Sequence, residues 1–200
     1  MPKHVDYFVS LNSPWAYLGS KRFEVIAKKY NADVTIWPVD FGSVFAVSGG
    51  LPLPKRAPQR QAYRMMELKR WRDHLGVKIN LEPKHFPSNE VPAAKCVIAL
   101  REQGRMADAI KVAHAVLNAV WAEEKNSGDP ETLKGIIASC GLDADAVMKA
   151  ADTPEMAAKR EAYTKAAIDM GVFGAPFFII DGERFWGQDR IDFVEKKLAS

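Results

Sequence analysis

The stretch Tyr7-Phe8-Val9-Ser10-Leu11-Asn12-Ser13-Pro14-Trp15-Ala16-Tyr17-Leu18 narrows what this chain can fold into more than any other. It follows His4-Val5 as a short aromatic and β-branched run, the composition of a strand. The run breaks at Asn12-Ser13, and Pro14 suits the first turn of a helix because it has no N–H to leave unpaired. From Trp15 onward Leu18, Phe23, Ile26 and Ala27 recur at helical spacing up to Tyr30-Asn31. A hydroxyl is thereby placed where a strand hands over to a helix, at backbone N–H groups and a dipole end that favour an anion.

The segment Asp33 to Asp40 has the composition of a second strand, with Pro38 at a sheet edge or bulge. Strand, helix and strand form a βαβ unit, whose strands should be parallel and whose crossover should be right-handed. Ser48 to Pro58 is too rich in Gly and Pro for regular structure, and suits either a plain surface linker or a loop facing a ligand.

Helical patterns follow: Gln59 to Leu75, with Tyr63, Met66, Leu68 and Trp71 expected on its apolar face, then Ala93 to Gln103 and Arg105 to Glu124. Val77 to Phe86 between them is expected to be extended. Asp129-Pro130 and Thr153-Pro154 are cap-and-proline starts, opening helices to about Cys140 and Met170, with a short helix from Asp143 to Ala151 between them.

The ending changes character. Phe177-Phe178-Ile179-Ile180 is a buried-strand run, Asp181-Gly182 a two-residue hairpin turn, and Glu183 to Trp186 the return strand. Gly187-Gln188-Asp189-Arg190 then opens a last amphipathic helix through Leu198. Without its helical middle the order is β-α-β-α-β-β-α. This predicts an α/β fold, a thioredoxin-like domain formed by 1–43 and 159–200 and interrupted by a large all-helical insertion, 44–158.

Composition excludes several function classes. With 28 basic and 25 acidic residues the formal charge is +3, too mild to argue for nucleic acid. No apolar signal segment precedes the first strand and no apolar run is long enough for a bilayer, so a cytoplasmic location without membrane contact is expected. Cys96 and Cys140 lie far apart with no C-x-x-C, which argues against a metal site or a dithiol pair and for ordinary buried thiols.

Three motifs in order, Ser13-Pro14-Trp15-Ala16-Tyr17-Leu18, Gly174-Ala175-Pro176 and Phe185-Trp186-Gly187-Gln188-Asp189-Arg190, resemble those of 2-hydroxychromene-2-carboxylate isomerases and kappa-class glutathione transferases. These belong to a group whose fold resembles the bacterial disulfide oxidoreductase DsbA, and the likeness spans essentially the whole chain. Thioredoxin-like redox proteins carry Cys-x-x-Cys at the helix start, where this chain has Ser13-Pro14-Trp15-Ala16. The resemblance therefore implies a borrowed thiol, that of reduced glutathione, with Ser13 donating a hydrogen bond to the thiolate. A helix N-terminus lowers a thiol pKa from its free value of ~8.5. Taken alone, Ser13 is equally what a helix cap requires.

The resemblance further implies that Ala175-Pro176 is a cis-proline loop whose backbone pairs with the cysteinyl unit of glutathione, and that Trp186, Gly187, Gln188 and Asp189 hold its γ-glutamyl end. Asp189 also suits a plain helix-start acid beside Arg190. Arg60 and Tyr63 fall where the family has a basic residue and a tyrosine, or on a solvated helix face. The substrate side departs from the pattern. Ser10 stands where Asp is frequent, Phe45 where the naphthalene-pathway isomerase has a substrate-binding lysine, and Phe86 where it has a tyrosine; Lys55 and Arg56 lie near its Asn-Arg loop.

The implied activity is a glutathione-dependent isomerisation of an aromatic 2-oxo acid of the chromene-carboxylate type, in which the thiolate adds, a double bond rotates as a single bond, and the thiolate leaves. The alternatives are a kappa-like transferase or peroxidase that consumes glutathione, and a thioredoxin-like module that binds a peptide without chemistry. A homodimer is implied by resemblance alone.

Overall fold

A computed structural model describes residues 2–200 of the protein. The chain runs β1 (His4–Val9), α1 (Pro14–Lys29), β2 (Asp33–Pro38), α2 (Phe41–Ser48), α3 (Pro58–Leu75), α4 (Val91–Glu102), α5 (Met106–Trp121), α6 (Pro130–Ser139), α7 (Ala144–Ala151), α8 (Pro154–Asp169), β3 (Phe177–Ile180), β4 (Glu183–Trp186) and α9 (Ile191–Ala199), with 3-10 turns at Leu53–Lys55 and Gln188–Arg190. The strands form one mixed sheet in the order β2-β1-β3-β4. β1 is parallel to β2, with Tyr7 opposite Ile36, and antiparallel to β3, with Tyr7 opposite Phe178. The expected thioredoxin-like arrangement is therefore present, with a helical insertion between β2 and β3.

The sheet centre is aromatic because β1 and β3 are each covered on both faces. Phe8, Phe177 and Phe178 are fully buried. Tyr7 stacks on Phe178 at 5.1 Å, and Phe23 from α1 meets both rings at 4.9 and 4.7 Å. Helix α9 packs on β3 and β4 and also against α1, while α4, α5 and α8 reach β2. The insertion has its own apolar interior, in which α5 buries Val112, Val116, Leu117, Val120 and Trp121 against α4 and α6.

Starts and stops follow the local chemistry. Ser13, Asp40, Asp129, Asp143 and Thr153 each accept a backbone N–H as N-caps. At the hairpin, Asp181 and Gly182 have φ of 52° and 79°, as a two-residue turn of this kind requires. Cys96 and Cys140 are both free and buried.

Three details differ from expectation. β2 ends at Pro38, and Asp40 instead caps α2, an eight-residue helix whose Gly42 and valines gave no helical signal. The expected apolar face of α3 is not buried as a stripe. Of its residues only Leu68 is fully enclosed, while Tyr63 and Met66 are 54% and 49% exposed. Val77 to Phe86 has no ladder partner and ends in a cis Phe86–Pro87 bond.

Candidate active site

Ser13 stands at the C-terminal end of β1 as the cap of α1, because the chain must leave the sheet there and Pro14 fixes the first helical residue. Its Oγ accepts the Ala16 N–H at 3.1 Å. The hydroxyl proton faces the Ala175 carbonyl, across the cis Ala175–Pro176 bond loop, at 3.5 Å. That is longer than a good O–H···O bond, so the proton remains available to a better acceptor.

The loop before Ser13 is held from the insertion. Asn12 exchanges bonds with Ser88, its Nδ2 donating to Ser88 O at 2.8 Å and its Oδ1 accepting from Ser88 N and Oγ at 3.2 and 3.1 Å. Ser10 Oγ donates to Glu90 Oε2 at 2.8 Å, and the Asn12 N–H donates to the same oxygen at 3.0 Å. Glu90 Oε1 lies 3.4 Å from Arg160 on α8. Burial pushes the Glu90 carboxyl above the usual carboxylate range, while the bond from Ser10 and the charge of Arg160 oppose that rise. A carboxylate therefore does reach the neighbourhood of Ser10, although the residue itself is not acidic.

Two connected clefts meet over this point. One, of about 790 Å³, contains Ser13, Glu90 and the rings of Phe41, Phe45 and Phe86. The other, of about 560 Å³, contains Tyr63 and Glu67 of α3 together with Gly187, Gln188 and Asp189. Trp15, Arg56, Arg60, Arg64, Ala175 and Trp186 line both. Much of the Gly- and Pro-rich stretch after α2 faces the larger cleft, so it is a wall of the site rather than a bare linker.

Most expected site residues thus converge, with three qualifications. Pro176 is buried and lines neither cleft. Lys55 is exposed and lines neither cleft, so positive charge comes from Arg56, Arg60 and Arg64 instead. Gln188 is only 2% exposed and its side-chain and backbone oxygens both accept from Arg22 Nη1, at 2.8 and 3.0 Å. What Gln188 offers the cleft is backbone.

Glycine is called for by the backbone at Gly187, and at Gly174 it lets an indole come close. A Cβ on Gly174 would stand 2.2 Å from the Trp186 indole nitrogen, and one on Gly187, where φ is 104°, 2.3 Å from Asp189 Oδ1. Both glycines let a neighbour close over the cleft.

Residues 4–199 match the family model described as a DSBA-like thioredoxin domain. The chain belongs to the DsbA-like thioredoxin domain family. Within it, the chain is 29% identical over 203 residues to a 2-hydroxychromene-2-carboxylate isomerase of Sphingobium xenophagum, covering 99% of each protein. It is 26% identical over 197 residues to the enzyme of that name from Pseudomonas putida, covering 98% of this chain and 94% of the relative. A solved structure of a selenomethionine 2-hydroxychromene-2-carboxylate isomerase superposes with a TM-score of 0.80 at 26% identity, over 98% of this chain and 94% of that one. The chain is thus a DsbA-like family member similar to those isomerases, without the thiol pair at the start of α1. Among the described residues, no helix is long and apolar enough to cross a membrane.

Glu90, Asn12 and Arg64 were not legible as site residues. Glu90 precedes Val91-Pro92, and an acid at a helix start is unremarkable in a sequence. Only the fold brings it across 80 residues to Ser10.

Proposed function

We propose that this protein is a glutathione-dependent isomerase that interconverts 2-hydroxychromene-2-carboxylate-type compounds and trans-o-hydroxybenzylidenepyruvate-type 2-oxo acids, acting in the cytoplasm as a homodimer. The observation that carries the reading is the uncommitted Ser13 proton, 3.5 Å from the Ala175 carbonyl, at a helix N-terminus that has no thiol of its own.

The residues fit a thiol tripeptide. The smaller cleft offers the backbone N–H groups of Gln188 and Asp189 to a carboxylate and the Asp189 side chain to an ammonium, while the Gly187 N–H is spent on the Pro176 carbonyl at 2.9 Å. Ala175, on the border of both clefts, offers its backbone to the cysteinyl unit of such a tripeptide. Glutathione, when bound, supplies a thiolate that adds reversibly to a conjugated double bond and lets it rotate. Ser13 then has the task of donating a hydrogen bond to sulfur, which with the dipole of α1 favours the ionised form. Phe41, Phe45 and Phe86 give a planar aromatic group an apolar surface, and the arginines face its negative charge.

The test is to add trans-o-hydroxybenzylidenepyruvate with and without glutathione while counting free thiol. Isomerisation that requires glutathione and leaves its concentration unchanged supports the reading. Steady loss of thiol identifies a transferase or peroxidase instead, and no glutathione binding by calorimetry leaves a non-catalytic module.

A further inference from the structure

Among the described residues, Arg56, Arg60 and Arg64 border both clefts without an acidic partner, but they are not equivalent. Arg60 is exposed. Arg56 spends its Nε on the Leu51 carbonyl at 2.7 Å. Arg64 is drawn inward, its guanidinium 5.7 Å from the Phe86 ring centre and 5.9 Å from that of Trp121. Its one hydrogen bond goes to the Met65 sulfur at 3.6 Å, a weak acceptor. Burial and the charge of Arg56 push its pKa down to about 10. Beside it Trp121, fully enclosed, has an indole N–H with no acceptor. A partly buried cation without a counter-ion is costly, and an anion from solution is the partner that would relieve it.

The walls around Arg64 define the rest of that anion. Phe41 and Phe45 close the α2 side of the larger cleft, and Phe86 carries the contact to Arg64 itself. The acidic residue on that wall, Glu90, is already engaged by Ser10, Asn12 and Arg160.

Resting on the isomerase reading, we infer that Arg64 is the specificity-determining residue of the site, its fork holding the carboxylate of a planar aromatic 2-oxo acid whose ring lies on Phe86. The charge that selects the substrate thus comes from the middle of α3 rather than from α2.

Phenylpyruvate, which carries the ring and the 2-oxo carboxylate but no conjugated double bond to rotate, is the probe, with its methyl ester as the uncharged control. Binding is read by quenching of tryptophan fluorescence in the protein without glutathione. The wild type binds the acid more tightly than the ester. In Arg64→Gln the acid weakens about tenfold or more, the scale of a charged hydrogen-bonded pair, and falls to the level of the ester. Arg64→Lys keeps the preference for the acid at reduced strength, which excludes a general loss of structure as the cause. Equal affinity for acid and ester in the wild type, or an unchanged acid affinity in Arg64→Gln, overturns the inference. Glutathione is titrated calorimetrically into the wild type as a separate readout. Failure of glutathione to bind even the wild type sinks the isomerase reading separately, without touching the acid-versus-ester result.

Discussion

Ser13 Oγ lies 3.5 Å from the Ala175 carbonyl oxygen, joining two segments 162 residues apart that the sheet brings edge to edge. The hydroxyl is fixed as an acceptor by the Ala16 N–H and is left with a proton for which the protein supplies only a distant partner. A residue in that state is a cap and a waiting donor at once.

Ser13→Ala removes both roles, with separable sizes. Losing the cap costs about 1 kcal/mol of stability by urea denaturation. Losing a hydrogen bond to a thiolate, worth about 1.5–3 kcal/mol, lowers glutathione-dependent turnover by roughly 10- to 100-fold. Ser13→Cys retains part of the rate. An alanine variant with full turnover removes Ser13 from the mechanism.

Gly174→Ala drives a methyl group into the Trp186 indole, which is half exposed and free to swing away. The expected result is weaker glutathione binding by calorimetry, with a midpoint of thermal unfolding close to wild type. Unchanged affinity would show that the indole does not cover the ligand.

Glu90→Ala leaves the Ser10 hydroxyl, the Asn12 N–H and Arg160 without their shared acceptor. Breaking a buried charged cluster from one side costs about 3 kcal/mol or more. Urea melts at neutral pH measure it, and a loss below about 1 kcal/mol, the size of an ordinary surface change, would mean the carboxylate does not hold the loop.

His114 sets an acid-sensitive window. Burial, helped by the charge of Lys21, pushes its pKa from 6.5 down to about 4, and its Nδ1 sits 2.6 Å from Ser20 Oγ. The unfolded chain takes up a proton near pH 6.5 while the folded one does not, so stability is full above that value and falls as pH drops towards about 4. The loss is roughly 3 kcal/mol at most. Urea melts across this range are expected to show the decline in the wild type and a flatter curve in His114→Gln. Parallel curves would assign the decline to other groups.

What the sequence made legible is local. The β1–α1 junction, the Asp181-Gly182 hairpin and the cap-and-proline helix starts follow from short-range sterics and hydrogen bonding, and the β-strand patterns report the buried sheet. What it hid depends on distant partners. In α3 the apolar pattern points to Tyr63 and Met66, yet these stay exposed while Arg64 turns in, because Phe86 and Trp121 offer its guanidinium two rings. Glu90 gains its meaning only from Ser10 and Arg160. The half of the site proposed for glutathione is formed by backbone at β–α junctions and so is written in Gly and Pro. The substrate side is carried by side chains from separate helices, which no single stretch displays.

If Ser13 holds a borrowed thiolate, the ionisation of bound glutathione shows it. Its thiolate absorbs in the near ultraviolet and can be followed by pH titration on the wild type and on Ser13→Ala. In the wild type the bound thiol ionises at least about one unit below its free value of ~8.5, and in Ser13→Ala it moves back towards that value. A bound thiol that titrates as it does free in solution, in both proteins, would show that Ser13 holds no thiolate.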